Sequence, residues 1–301
     1  IYINLNLEGF AMLRILLFLA TNIAIVIVVS LLVSVFGLDR ALQQQGLNLQ
    51  ALLFMSAIIG MTGSFINLVV SKWTAKWMMG VYVIEHPQDQ TEQWLISVVE
   101  RQARQVGIDM PEVGIFNTPE PNAFATGMNK NNALVAVSSG LLNTMNADEV
   151  EAVIGHEMSH VANGDMVTMT LLQGVLNTFV YFFAYIIGYT VDKVVFKSER
   201  GDGFAFYAVR FIAQMALGFL AMMVVMWFSR YREFKADAGG ANLAGRHKMT
   251  SALQALQRAS EPQPLPGQLA AFGINSGGGI MRLFMSHPPL EERIAALQNQ
   301  R

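Results

Sequence analysis

His156-Glu157-Met158-Ser159-His160 stands just ahead of a long apolar run at 166–191 in a 301-residue chain. Two histidines four residues apart on a helix project from one face, close enough to grip a single Zn²⁺. The Glu between them can take a proton from a water polarised by that metal, which is the layout of a zinc peptidase. The bare pattern also arises by chance, as an ordinary hydrogen-bonded pair of histidines, so its flanks matter. Asn146 with Glu149 three residues on has the form of a capping box, and Val150, Val153, Ile154, Met158 and Val161 recur at helical spacing. The motif is therefore expected on a helix, with His156 and His160 on the stripe beside the apolar one.

The chain around it is 53% hydrophobic and 14% charged, too apolar for an ordinary soluble protein. Crossing a hydrocarbon core of about 30 Å takes about 20 apolar helical residues. The windows 15–36, 51–70, 166–191 and 211–228 qualify, the last beginning near Phe204, so that Arg210 lies inside its end where a long side chain can snorkel. The fold class expected is an α-helical polytopic membrane protein with four transmembrane helices. The first window is too long for a signal peptide and reads as an uncleaved anchor. Residues 1–11, ahead of Met12-Leu13-Arg14, read as an expression remnant and carry no functional weight. Cysteine is absent, so a metal must be held by His, Asp or Glu. A net charge of −2 and a pI near 6.2 speak against nucleic acid as a partner.

The spans divide the chain into 12–70 (helices 1 and 2), a polar region at 71–165, the hairpin 166–228 (helices 3 and 4, about 166–191 and 204–228), and a second polar region at 229–301. Because helices 3 and 4 form a hairpin, the polar regions emerge on one side of the membrane and can fold as one domain. Arg14, Lys72, Lys76, Arg230, Arg232 and Lys235 flank that side, against Arg40, Lys193, Lys197 and Arg200 on the other. This moderate excess favours the domain and both termini in the cytoplasm. Trp73 and Trp77, interleaved with Lys72 and Lys76, suit a helix passing through the interfacial zone. Asn22, Asn67, Gln173, Asn177 and Gln214 within the spans are expected to hydrogen-bond between helices.

In the first polar region, 91–106 reads as an amphipathic helix, and 112–116, 122–126 and 133–138 read as short strands with a turn at 129–132. Strand 122–126 is the candidate edge on which an extended peptide would dock by β-augmentation, giving Asn122, Ala123, Phe124 and Ala125 as substrate-binding residues. A plain structural hairpin is the competing reading. Two histidines do not complete a catalytic zinc site, and the candidate third ligand lies beyond the hairpin. Arg232-Glu233-Phe234-Lys235-Ala236-Asp237 puts Glu233 and Asp237 four apart on a helix continuing from the last span. Glu233 would bind the metal and Asp237 would orient a ligand histidine through its other nitrogen.

Ala147-Asp148-Glu149 leading into the motif, Asn163-Gly164-Asp165 after it, Ser229-Arg230 with Glu233 and Ala236-Asp237, and Ser286-His287-Pro288-Pro289 with Glu292-Arg293 together resemble the HtpX family from about Met12 to the C-terminus. These are heat-shock-associated bacterial membrane zinc endopeptidases related to the CAAX prenyl protease. The resemblance implies an α+β gluzincin-like peptidase domain on the cytoplasmic face of the inner membrane. It also implies one zinc per chain and polypeptide substrates, chiefly misfolded or damaged membrane proteins. It makes His287 a transition-state stabiliser and Arg293 an orienting or substrate-contacting partner. Segment 262–266 reads as a spacer or a gate over the site, and 273–279 as flexible linker.

The expected chemistry is metal-assisted peptide hydrolysis, with zinc on His156, His160 and Glu233, Glu157 as general base, and His287 donating to the oxyanion. A prenyl-protein peptidase and a non-catalytic zinc scaffold are the alternatives, the scaffold disfavoured because Glu157 is present. An intramembrane site is disfavoured by Asp148, Glu149, Glu151 and Asp165 around the motif, which would be costly in lipid.

Overall fold

Apolar runs and amphipathic stretches resolve into eight helices and four strands among the residues described in the computed structural model, which are 46–198, 203–260, 285–299 and positions 27, 31, 34 and 35. In chain order they are α1 (Leu49–Met79), β1 (Tyr82–Val83), α2 (Gln90–Val106), β2 (Glu112–Phe116), β3 (Ala123–Asn129), β4 (Asn132–Ser138), α3 (Ser139–Thr144), α4 (Ala147–Asn163), α5 (Asp165–Val194), α6 (Phe204–Ala244), α7 (Arg246–Ser260) and α8 (Leu290–Asn299). Among the described residues, α1, α5 and α6 are long and apolar enough to cross a membrane. The first expected span, 15–36, falls outside the described residues apart from four helical positions. The segments 1–11, 262–266 and 273–279 fall outside them too. The last expected span is only the first part of a 41-residue helix that runs on past the membrane-like stretch.

Two compact units emerge. The first takes in the described residues up to Phe65 and Leu171–Ala221. Here small side chains let α1 and α5 approach closely: a Cβ added at Gly60 would lie 2.6 Å from the backbone nitrogen of Thr178, and one at Gly174 would meet Ser64. Ser56 and Ser64 extend the stripe, the small-residue seam by which helices pack in lipid. The interhelical bonding expected of Gln173 and Asn177 is replaced by a bond within α5, where Gln173 Nε2 donates to Asn177 Oδ1 at 2.9 Å. Residues one turn apart on a helix satisfy each other without a second helix. Arg210 lies over the rings of Tyr185 and Phe206, 5.3 and 5.8 Å from their centroids.

The second unit comprises Ile66–Thr170 and the described residues from Met222 onward. Its sheet has the order β1-β2-β4-β3, with β2 parallel to β4 and the other two pairings antiparallel, so β3 is an edge. Strand β4 is buried along nearly its whole length, as a central strand must be. Helices α2, α4 and α7 close over the sheet around a core that includes Leu95, Val99, Val135, Leu141, Ile154, Met158 and Leu253. Helix α4 begins with the anticipated capping box: Asn146 Oδ1 accepts from the Glu149 amide at 3.0 Å, and Glu149 Oε2 accepts from the Asn146 amide at 3.1 Å. It ends on Gly164, whose φ of 67° only glycine adopts without strain.

Candidate metal centre

Helix α4 passes unusually close to α6. A Cβ on Gly240 would lie 2.9 Å from the His156 backbone nitrogen, and one on Gly239 would collide with the Ser159 side chain. Gly155 faces Gly240 in return. Three glycines thus remove the layer of side chains that separates ordinary packed helices. This brings Glu233, two turns before Gly240 on α6, to the histidines of α4.

The three proposed ligands converge. His156 Nε2 and His160 Nε2 are 3.1 Å apart, His156 Nε2 is 3.5 Å from Glu233 Oε2, and His160 Nε2 is 3.3 Å from Glu233 Oε1. Atoms held at zinc-ligand distances on the corners of a tetrahedron are roughly 3.3–3.5 Å apart, so the donor set fits a small four-coordinate cation. These are the residues that form a potential metal-holding group among those described.

Each imidazole is fixed from behind. His156 Nδ1 lies 3.0 Å from Asp237 Oδ1, and His160 Nδ1 lies 2.6 Å from Asp165 Oδ2. Both Nε2 atoms are thereby turned inward. Each carboxylate in turn meets an arginine. Arg293 forms a two-pronged bond to Asp237, with Nε and Nη2 at 2.8 and 2.6 Å, and its Nη1 reaches Glu233 Oε2 at 3.4 Å. On the other side Arg232 Nη1 is 3.6 Å from Asp165 Oδ1. Glu233, Asp237 and Arg293 are all buried. Glu157, half-buried on α4, adds a charge felt by both histidines and by Arg293. With neutral histidines, the four carboxylates outnumber the two guanidiniums by two charges, the complement of a divalent cation.

Burial alone would depress the basicity of both histidines, but their carboxylate partners outweigh it. The His156 pKa is raised by Asp237 and Glu233, and that of His160 is pushed up to about 9 by Asp165 and Glu233. A cation competing for these nitrogens must displace protons, so its affinity weakens as pH falls.

His287 places Nδ1 2.7 Å from Glu233 Oε2, on a side chain that is 59% exposed. Its loop is tied to α6 by Arg230, whose Nη1 donates to the Met285 carbonyl at 2.8 Å. Ala123, Phe124 and Ala125 lie on the edge strand, against which α4 packs, and Asn122 immediately precedes it. Asp165 and Arg232 were not singled out as site residues from sequence. Asp165 follows the helix-ending Gly164 by one residue, a position from which a carboxylate can fold back on the last turn. Asp165→Asn should lower metal affinity about 10–100-fold, as read by competition with a chromophoric chelator, while thermal unfolding of the metal-free protein shows whether the fold persists.

Two histidines and a Glu on separate helices placed to hold a metal, with a Glu between the histidines and a sheet edge alongside, are the arrangement of a membrane-embedded metallopeptidase. The profile of Peptidase family M48 matches residues 89–301. The chain is 61% identical to Protease HtpX of Thioalkalivibrio sulfidiphilus over 95% of its own length and 98% of that protein's. It is likewise 61% identical to Protease HtpX of Pseudoalteromonas atlantica, covering 95% of this chain and 99% of that one. The chain belongs to peptidase family M48 and, within it, to the HtpX proteases. The crystal structure of S. mikatae Ste24p superposes with a TM-score of 0.60 at 18% identity, covering 89% of this chain and 66% of that one, a likeness of fold.

Proposed function

We propose that the chain is a zinc endopeptidase that holds one zinc per protein and cuts misfolded or damaged membrane proteins at the cytoplasmic face of the bacterial inner membrane. The observation that carries this reading is the 3.1–3.5 Å spacing of the Nε2 atoms of His156 and His160 and the two Glu233 oxygens. Zinc bound there supplies Lewis acidity, polarising water and the scissile carbonyl. Glu157 takes the proton from the attacking water and returns it to the leaving amine. Asp237 and Arg293 hold His156 and Glu233 in place, and Asp165 holds His160. In its protonated form His287 donates Nδ1–H to Glu233 and presents Nε2–H of its exposed ring to the developing oxyanion.

The strand register supports a docking mode. Ser138 donates its amide to the Asn122 carbonyl at 2.8 Å, which makes 122 and 138 a hydrogen-bonded pair in antiparallel β3–β4. Such pairs alternate, so Phe124 and Thr126 bond inward, while Ala123 and Ala125 direct their N–H and C=O groups to the open edge. An extended substrate would pair with those two residues. The bulge at Gly127 and Asn129 ends the usable edge. Among the described flanking cations, Lys72, Lys76, Arg230, Arg232 and Lys235 against Lys193 and Lys197 favour a cytoplasmic domain.

Purified protein in bilayers should cleave an unfolded membrane protein, lose that activity to a chelator, and regain it with stoichiometric zinc. Cleavage that survives complete zinc removal would overturn the reading. A prenylated peptide run in parallel tests the prenyl-protein peptidase alternative, and preferential cleavage of it would reassign the substrate.

A further inference from the structure

The last turns of α1 carry two faces with opposite attachments. On one face Lys72 Nζ lies 2.8 Å from Glu112 Oε1 and donates to Asn132 Oδ1 at 2.6 Å, and Lys76 pairs with the same Glu112. Both lysines are therefore held by β2, and Lys72 also by the first residue of β4. On the other face Trp73 and Trp77 are 69% and 74% exposed, stacked in parallel with ring centroids 6.2 Å apart. Nothing among the described residues covers this ridge, yet indoles are seldom left bare in water.

Its neighbours along the helix identify the occupant. Ile66, Val70, Trp73 and Trp77 follow at spacings of four, three and four, so they form a single stripe. Ile66 and Val70 are exposed members of a candidate membrane span, and the ridge continues their lipid-facing surface without a break. At 1.5 Å per residue the 31-residue helix is roughly 46 Å long, against a hydrocarbon core of about 30 Å, so part of it must project into the headgroup layer. Trp73 and Trp77 start about 4–5 and about 10 Å beyond Val70. Helical side chains lean back toward the N-terminus, which here is toward the bilayer. Both rings thus reach the layer, about 5–7 Å deep on each side, where an indole finds an apolar contact and a partner for its N–H.

We propose that Trp73 and Trp77 seat the end of α1 in the headgroup layer of the bilayer, and that Lys72 and Lys76 transmit this fixed depth to the sheet through Glu112 and Asn132. The lysines are committed to protein partners, so the seat is aromatic rather than electrostatic and does not require anionic lipid. It follows that the sheet bearing the edge strand is held at a set height above the membrane.

The test compares the full-length parent with Trp73→Phe/Trp77→Phe in vesicles, taking the difference in tryptophan emission as the signal of the ridge. Quencher groups are placed at the lipid headgroup, at a shallow acyl position or at a deep one. The expected result is a blue-shifted difference spectrum, quenched at least about twofold more by headgroup and shallow labels than by deep ones. It should be the same in purely zwitterionic vesicles and in vesicles with anionic lipid, and unchanged when protein is diluted in lipid. Four results would overturn the proposal: quenching by aqueous iodide but by no lipid label, strongest quenching by the deep label, lipid quenching that appears only on dilution, as a second copy covering the ridge would cause, and a requirement for anionic lipid. The same measurement on Glu157→Gln separates this inference from the peptidase reading, because the ridge signal does not depend on turnover.

Discussion

Glu157→Gln is expected to abolish cleavage while leaving metal content and fold intact. The residue sits between the two histidines on α4 and is half-buried, and no distance in the ligand set involves its carboxylate. Glutamine keeps its volume and helical preference but cannot accept a proton. Loss of a positioned general base costs about 10²–10⁴ in rate, so cleavage of an unfolded membrane substrate should fall by at least that factor. Zinc per chain and thermal unfolding should match the parent. A variant that cuts at the parental rate would remove Glu157 from the mechanism and leave its role to another group.

Arg293→Met should produce the largest loss of stability. Arg293 is 6% exposed, and its guanidinium is the main cationic partner of buried Asp237 and a contact of Glu233. Methionine fills similar volume, but it strands two carboxylates in a region where water cannot compensate them. Removing one member of a buried ionic network costs about 3–5 kcal/mol. The loss should be greatest in zinc-free protein and partly recovered on adding zinc, since the cation supplies positive charge beside the same carboxylates. Denaturant unfolding with and without zinc reads both effects. Equal, small losses in the two states would mean that the network is more hydrated than its burial suggests.

Different parts of this site were legible in the sequence for different reasons. The histidine pair and the start of its helix were readable because both depend on residues within one or two turns: spacing sets the face, and Asn146 with Glu149 sets the cap. Glu233 and Asp237 share a helix face by the same periodicity, and their arrival beside α4 could be inferred only from the hairpin topology of the spans. The reason they fit was not legible. The value of Gly155, Gly239 and Gly240 appears only when α4 and α6 are side by side, because nothing local to either helix requires them. Asp165 and Arg232 were visible as charges but not as partners, because their pairing joins the start of α5 to α6. Strand β1 has only two residues, too few for any alternation to register. Helix α7 carries no site motif, and its amphipathic pattern serves the core by burying Met249, Ala252 and Leu253.

The most direct measurement is X-ray absorption at the zinc edge on purified, zinc-loaded protein, repeated on Glu233→Ala. The account predicts one zinc per chain with two imidazole nitrogens and a carboxylate oxygen at about 2.0–2.2 Å. In the variant the carboxylate shell and most of the bound zinc should be lost. Undiminished zinc with an unchanged shell in Glu233→Ala would contradict it, because the cation would then be held by groups other than the three that α4 and α6 bring together.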